Sequence, residues 1–210
     1  MNALPHRRIP DLTLALPPAS PDPRRRQIGA TVLEDAPVQR YNALLSRLEA
    51  NAPEVSADQL VTLARRLQDL PGPQAVALLS ERLARAEHLR RMLHDSDWDV
   101  DADLRERVRL LIGYLHQVDD LIPDDQPLLG HLDDALLVEL AWPAFAGESQ
   151  DYGDFCRFRA RERPRGSARE QRMAWENACL AEVALLQQRR QVRTRHYAGG
   201  QTLPERFRVG

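Results

Sequence analysis

Acidic side chains dominate the middle of this 210-residue chain, and four of them are spaced so that they could do chemistry together. Asp120 and Asp124 lie on either side of a proline, and Asp133 and Asp134 follow a glycine. His131 lies between the two pairs. Clustered carboxylates repel one another unless a cation or a hydrogen-bond donor neutralises them, and carboxylate oxygens suit Mg²⁺, Ca²⁺ or Mn²⁺. The pattern therefore raises the hypothesis of a divalent-cation site, with Mg²⁺ or Ca²⁺ as its ion. The competing interpretation, which the residue types alone favour, is purely structural: Asp133 would cap the following helix, with Asp134 in its first turn.

A second group of charges lies near the C-terminus. Residues 151–210 carry thirteen arginines against seven acids, whereas residues 95–134 carry twelve acids against three arginines. Arginine clusters neutralise phosphates and release counterions, so nucleic-acid contact is an alternative function for Arg157, Arg159, Arg161, Arg163, Arg190 and Arg193. Against this alternative, the pI is about 6.3, Glu162 and Glu170 interrupt the clusters, and no known nucleic-acid-binding motif occurs. Solvated or internally paired arginines are the favoured interpretation.

The residues of several catalytic machineries are missing. All 29 basic residues are arginine, which excludes a phosphate-binding loop with its lysine, a Schiff-base lysine and a pyridoxal-phosphate anchor. Neither G-x-S-x-G nor H-E-x-x-H occurs, and Cys156 and Cys179 have no metal-ligand spacing. We therefore assign no catalytic residue and favour a non-enzymatic role. The cysteine content favours a reduced, cytoplasmic compartment.

Helices are predicted to position these residues. Alanine and leucine dominate, whereas the β-branched and aromatic residues that favour strands are scarce. Leucines recur at three- and four-residue spacing, and Ser56 followed by Gln59 has the form of a capping box. The pattern predicts an all-α fold, an irregular bundle of about six or seven helices. The first two predicted helices cover residues 38–50 and 56–70. Apolar stripes at 79–93 and 104–118 predict the third and fourth, and the fifth covers 132–145. After a break at 147–153, a short piece around 155–158 and a last helix at 168–193 follow.

The two ends of the chain are predicted to lie outside this helical domain. Residues 1–37 contain seven prolines and the Arg24–Arg26 cluster, which predicts an extended, largely disordered arm. The helical domain spans 38–196, and residues 197–210 form a tail. No apolar signal segment follows Met1, and no uncharged apolar run approaches the roughly 18 residues that a membrane span requires. We therefore expect neither a secretion signal nor a membrane span.

The stretch between the fourth and fifth predicted helices is expected to be a tight turn. Pro123 and Pro127 fix the backbone angle φ and prevent a helix from continuing. Gly130 is expected to adopt a positive φ, which other residues resist. Leu121 and Ile122 are predicted to face inward and hold the turn against the helices. The whole stretch is therefore predicted to be a joint between two packed helices.

The same stretch resembles the YkvA family of domains of unknown function. The family's hallmark is a D-L-I-P-D element followed by a proline, a glycine and a paired aspartate. Residues 120–124 match the first element, and the second is matched by Pro127, Gly130, Leu132, Asp133 and Asp134. The resemblance identifies a YkvA-like segment at 108–146 and implies no reaction. Many relatives are strongly apolar around the motif, whereas polar residues interrupt it here, so we expect at most peripheral contact with a membrane.

The favoured interpretation of the whole chain is a structural or protein-interaction module without a cofactor, with another protein as its partner. The first alternative is a divalent-cation-dependent enzyme or cation-regulated module that uses the four aspartates. Nucleic-acid binding through the C-terminal arginines is the second alternative. The sequence leaves the oligomeric state open.

Overall fold

A computed structural model describes residues 14–18, 25–117 and 120–197, the last four without their side chains. Over these ranges the fold is all-α apart from one small antiparallel hairpin, which confirms the predicted class. The hairpin pairs β1 (Gln27–Ile28) with β2 (Thr31–Val32). The helices are α1 (Asp35–Leu48), α2 (Ala57–Gln68), α3 (Gly72–His94), α4 (Ala102–Tyr114), α5 (Leu132–Ala141), α6 (Ala146–Glu162) and α7 (Ala168–Tyr197), with a 3₁₀ turn at Trp142–Ala144 between α5 and α6.

The chain divides into two compact units, residues 1–152 and residues 153–210. The first unit contains the hairpin, α1 to α5 and the start of α6, and the second contains the rest of α6 and α7. The four aspartates belong to the first unit. The C-terminal arginines belong to the second.

Helix α5 lies at the centre of the first unit. Residues 132–138 and Ala141 are buried, and the helix contacts α1, α3 and α4. A helix that is apolar on all sides is stable only when neighbouring elements cover it on all sides. Asp133 and Asp134 occupy the first turn of this helix. The burial of α5 therefore withdraws two carboxylates from solvent.

A charged contact fixes α5 against α3. Arg82 is 5% exposed, and its Nε donates to the Oε2 atom of Glu139 at 3.1 Å. Nη1 of Arg85 donates to the same oxygen at 3.0 Å. Two guanidinium groups thus share one half-buried carboxylate. Separating the two helices would leave a partly buried charge without its partner, which is costly in free energy. The ion cluster therefore fixes the position of α3 relative to α5.

A local signal sets the start of α2, and several helix boundaries depart from the predicted ones. The capping box of α2 is confirmed: the Ser56 hydroxyl accepts from the Gln59 backbone N–H at 3.3 Å, and Oε1 of Gln59 accepts from the Ser56 N–H at 2.9 Å. Helix α3 begins at Gly72, ahead of the apolar stripe at 79–93 that predicted it, and Pro73 suits its first turn because the N–H that proline lacks would have had no partner there. Helix α4 ends at Tyr114 rather than at residue 118.

Helix α6 runs through the break that was predicted at 147–153. That prediction was wrong, and so was the short piece expected around 155–158, because one helix covers Ala146–Glu162. A glycine in a helix costs roughly 1 kcal/mol, which tertiary contacts readily offset. Tyr152 supplies such contacts in the first unit: it is buried, its hydroxyl donates to Asp95 at 3.1 Å, and its ring centroid lies 5.6 Å from that of Trp98.

The described part of the predicted arm is packed rather than detached. Leu14, Ile28 and Leu33 are buried, and α1 begins at Asp35, so residues 25–37 hold the hairpin and a helix start. The prolines of this segment predicted a disordered arm. Burial of three apolar side chains offsets the entropic cost of ordering the segment. The rest of the predicted arm, residues 1–13 and 19–24, and the predicted tail from residue 198 lie outside the described residues.

In the second unit, α7 is a long helix with exposed side chains. Its start carries the Ser167–Glu170 pair, in which Oε2 of Glu170 accepts from the Ser167 N–H at 2.7 Å. The Trp175 ring packs edge-on against Phe155, with ring centroids 6.0 Å apart. None of the helices in the described ranges combines the length and the apolar character needed to cross a bilayer.

Candidate metal centre

The site is built on the bend between α4 and α5, whose residues 120–134 we call the acidic bend. The segment leaves α4 after Tyr114 and returns as the first turn of α5 at Leu132. Two successive backbone turns shape it, since the Gln126 N–H donates to the Pro123 carbonyl at 3.1 Å and the Gly130 N–H donates to the Gln126 carbonyl at 2.9 Å. The bend thus folds back and brings Asp120 and Asp124 towards the start of α5.

Asp133 is the anchor of the bend. It is fully buried, and its Oδ2 accepts from the Tyr114 hydroxyl at 2.7 Å and from the backbone N–H groups of Leu121 and Ile122 at 3.1 and 3.3 Å. The Tyr41 hydroxyl donates to the Asp133 backbone carbonyl at 3.0 Å. The predicted helix cap was wrong: His131 is the N-cap residue of α5, and no side chain caps it. Asp133 instead satisfies donors of the bend that precedes its helix.

Gly130 has a different role from the one predicted. Its φ is not positive; Leu128 takes the positive value of 68° in this bend. A Cβ atom at Gly130 would lie 2.7 Å from the Asp124 Cα, closer than real carbon atoms approach. Glycine is therefore required by the close approach of the two backbone segments. Leu121 and Ile122 are buried, as predicted for side chains that hold the turn.

Four carboxylate oxygens of this site are buried without a hydrogen-bond partner among the described residues. They are both oxygens of Asp120, Oδ1 of Asp133 and Oδ1 of Asp134. Asp134 is only 4% exposed. A buried acceptor without a donor costs roughly 1–3 kcal/mol, and more when it is charged. A purely structural role for these acids leaves that cost uncompensated.

The acids gather into two groups that share Asp134. In the deeper group, one oxygen from each of Asp120, Asp133 and Asp134 lies within 4.8 Å of the other two. In the shallower group the same spacing relates Asp124, His131 and Asp134. Nδ1 of His131 is 3.1 Å from Oδ1 of Asp124 and 3.6 Å from Oδ2 of Asp134. All five residues singled out in the sequence are thus brought together.

Burial and mutual repulsion shift the acidity of the deeper group. Desolvation, followed by the charge of neighbouring aspartates, raises the pKa of Asp120, Asp133 and Asp134 to about 7 each. Hydrogen bonds from Tyr114 and from the backbone oppose the rise at Asp133. Burial also raises the pKa of Tyr41 and Tyr114, so both remain neutral donors. A bound cation would favour the charged carboxylates and reverse the shift of the three acids.

Asp120 also lines a groove between α1 and α4 with a volume of about 360 Å³. Tyr41 and Tyr114 form part of its wall, and Arg40, Arg47 and Arg109 lie around it. Sequence reasoning did not single out these five residues. The arginines lie up to 80 positions from Asp120 in the chain and share no motif with it, so nothing in the sequence pointed to their convergence.

The six C-terminal arginines lie on two helices or directly after one of them and occupy more than one helix face, although Arg157 and Arg161, four residues apart, share a face of α6. We call residues 157–193 the arginine segment; Arg157, Arg159 and Arg161 lie on α6, Arg163 directly after it, and Arg190 and Arg193 on α7. Residues two apart on a helix do not share a face. Arg157 pairs with Asp154, Arg161 donates to Glu162 at 2.7 Å, and Arg159 lies over the Phe155 ring. These contacts support the internally paired interpretation.

Comparisons of the chain with protein-family models, with curated proteins and with solved structures find no match. The resemblance to the YkvA family therefore stays a prediction from the motif.

Proposed function

We propose that the protein is a divalent-cation-binding module whose ion is held by Asp120, Asp133 and Asp134. The observation that carries the proposal is the set of four buried carboxylate oxygens without a partner among the described residues. A cation placed between them would supply the missing interaction for all three side chains. Of the functions considered from the sequence, this is the one that accounts for these oxygens.

The donor set suits a hard cation. Mg²⁺ and Ca²⁺ prefer carboxylate oxygens, and oxygens on opposite sides of one ion are about 4.2 Å apart for Mg²⁺ and about 4.8 Å apart for Ca²⁺. The spacing of the deeper group, below 4.8 Å, accommodates either ion. Three ionised carboxylates carry one more negative charge than a divalent cation neutralises, so the occupied site keeps one negative charge unless one of the three acids is protonated.

The ion would join two parts of the fold. Asp133 and Asp134 belong to the first turn of α5, whereas Asp120 belongs to the start of the acidic bend after α4. Binding would therefore stabilise the bend against α5, and its loss would leave three like charges in contact. This coupling supports a cation-regulated structural role, of the kind in which metal binding contributes directly to folding stability.

Calorimetric titration of the full chain with Mg²⁺, Ca²⁺ and Mn²⁺ tests the proposal. We expect saturable heat with at least one ion and a rise in Tm on binding. Asp120→Asn and Asp134→Asn should abolish both responses, whereas Asp125→Asn, which removes an exposed acid of the same bend, should leave both unchanged. No heat and no rise in Tm with any of the three ions would refute the proposal.

A protein-interaction role is the second candidate, and it has its own observation. Large apolar side chains on α7 are exposed, among them Met173 at 50%, Leu180 at 68% and Val183 at 51%. Exposed apolar patches of this kind are typical of contact surfaces. Light scattering after size-exclusion chromatography tests it: a wild-type assembly that dissociates on Leu180→Gln would support this role, and a monomer at all concentrations would argue against self-association through α7.

A further inference from the structure

We propose that the groove between α1 and α4 binds a small phosphate-bearing ligand, whose phosphate contacts the arginines of the groove and the cation on Asp120. The inference rests on the proposed cation site and extends it to a class of ligand. Its starting point is that Asp120 belongs both to the deeper carboxylate group and to the wall of the groove.

The charge around the groove is the first observation. Arg40 and Arg47 extend from α1, two helical turns apart, and Arg109 extends from α4. None of the three has an acidic or hydrogen-bonding partner among the described residues. Some other arginines of the same unit are paired: Arg82 and Arg85 share Glu139, and Arg107 contacts Asp103 at 3.0 Å. Arg65 and Arg66 also lack a partner among the described residues, so what sets the three arginines apart is that they line one groove.

Three guanidinium groups that line one groove and have no partner in the described part of the chain favour an anionic occupant. The guanidinium group presents several N–H donors in a planar fork, which matches the oxygens of phosphate. A carboxylate could engage one fork, whereas a phosphate offers oxygens to more than one arginine and to a cation at the same time. The arrangement therefore fits phosphate better than a simple carboxylate.

The groove also provides an apolar surface. Leu44 and Leu110 line it beside the two tyrosines. Gly113 of α4 leaves open space, since nothing lies within 4 Å of a Cβ atom built on it. These residues would contact the non-phosphate part of the ligand, and a volume of about 360 Å³ limits that part to a small molecule.

Binding of the phosphate-bearing ligand should depend on the cation, for an electrostatic reason. Without an ion, ionised Asp120, Asp133 and Asp134 would repel a phosphate in the adjoining groove. A divalent cation removes most of that repulsion, and Mg²⁺ commonly keeps coordination positions that substrate phosphates fill. Because linkage is reciprocal, the ligand must raise the affinity for the cation by the same factor as the cation raises the affinity for the ligand.

Titration calorimetry of the full chain with ADP, in saturating Mg²⁺ and in EDTA, tests the inference. Adenosine serves as the probe without phosphate. We expect ADP to bind in Mg²⁺ only and adenosine to bind in neither condition. Arg40→Gln and Arg47→Gln should each weaken ADP binding by about tenfold, as expected for one charge-assisted hydrogen bond. Arg66→Gln, which changes an exposed arginine of α2, should not weaken it.

Gly113→Leu gives a second test that leaves every charge in place. A leucine there would fill part of the groove, so ADP binding should fall while the Mg²⁺ affinity measured without ADP stays at the wild-type value. Mg²⁺ binding without any ADP binding would overturn this inference and leave the cation site standing. ADP binding of equal strength in EDTA would overturn the cation bridge, and a chain that binds neither would refute the cation site as well.

Discussion

The acidic bend and the arginine segment are both clusters of like charge, yet the fold treats them in opposite ways. In the bend, three aspartates are brought together and four of their oxygens are buried without a partner among the described residues. In the arginine segment, the charges lie on exposed helices and at least three of them contact an acid or a ring on their own element. Within α6, Arg157, Arg159 and Arg161 are as close in sequence as the acids of the bend. What separates them is whether a buried element carries the charges.

The comparison shows when a charge cluster is informative. An exposed helix can rotate successive side chains to different sides and pair each with a neighbour, so its charges need no ligand. The first turn of α5 cannot do this, because α1, α3 and α4 surround the helix. Charges that the fold buries close together, at a cost in free energy, indicate a binding site more strongly than charges that lie apart on exposed helices.

The largest expected effect comes from removing the anchor of the bend. Asp133→Ala deletes three hydrogen bonds and leaves the Tyr114 hydroxyl proton and the Ile122 N–H buried without their acceptor, whereas the Leu121 N–H keeps its contact with the Tyr114 oxygen at 3.3 Å. We expect a loss of about 3 kcal/mol in the free energy of unfolding. Urea unfolding followed by circular dichroism measures it. Asp125→Ala is the matched control in the same bend, and a loss of equal size in both variants would contradict the special role of Asp133.

The pH dependence of stability should separate the two clusters next. The pKa values of Asp120, Asp133 and Asp134 are raised to about 7, so between about pH 4 and pH 7 the folded state binds more protons than the unfolded state. Their contribution to stability is therefore complete below about pH 4 and is lost as the pH rises through 7. In EDTA, we expect the free energy of unfolding to fall by a few kcal/mol in total from pH 5 to pH 8, on the order given by linkage.

A divalent cation should reverse this slope, since it binds the ionised carboxylates. Urea titrations at pH 5 and pH 8, with EDTA and with Mg²⁺ or Ca²⁺, measure both slopes. Asp134→Asn should reduce the change in the free energy of unfolding between the two pH values, both with and without the cation. A wild-type stability that is the same at both pH values in EDTA would show that the three acids are not held in a repulsive cluster.

A methyl group at Gly130 should produce a smaller but local loss. Its Cβ atom would meet the Asp124 backbone at 2.7 Å, and relief of such overpacking costs about 1–3 kcal/mol. The control is Gly147→Ala in α6, where nothing lies within 4 Å of the added atom. That variant should gain up to about 1 kcal/mol from helix propensity. Equal effects of the two substitutions in thermal unfolding would argue against the close approach in the bend.

The smallest effect is expected in the arginine segment. Arg157→Ala removes an exposed pair with Asp154, and exposed pairs contribute about 0–1 kcal/mol. Thermal unfolding should therefore change little. An electrophoretic shift assay at low salt should show no retained nucleic acid, whereas a clear shift that Arg157→Ala weakens would restore nucleic-acid binding as the function of this segment.

Periodicity predicted the helices well where a stripe of leucines faces the core. The capping box at Ser56, the all-α class and the five residues of the site all follow from residue type and spacing. Predictions failed where one strong local signal was weighed alone. Prolines concealed the burial of Ile28 and Leu33, and two glycines suggested a break in α6, because propensity is a weaker term than burial of apolar side chains.

The arrangement within the site could not be predicted for a different reason. Asp133 has the sequence position of a helix cap, and its true partners, Tyr114, Leu121 and Ile122, are defined by how the bend folds back. Arg40 and Arg47 approach Asp120 only because α1 packs against α4. Contacts between distant segments depend on the register of packed helices, and one sequence contains no local signal for that register.

The carboxylate of Asp134 belongs to both groups of acids, and it therefore connects the exposed group of Asp124 and His131 to the buried group of Asp120 and Asp133. Its Oδ2 lies towards His131, which solvent reaches, and its Oδ1 lies among buried atoms. An ion arriving from outside would meet Asp124 and His131 before it could pass inward. In the proposed cation site, the exchange rate of an ion that takes this route should therefore depend on the Asp134 carboxylate.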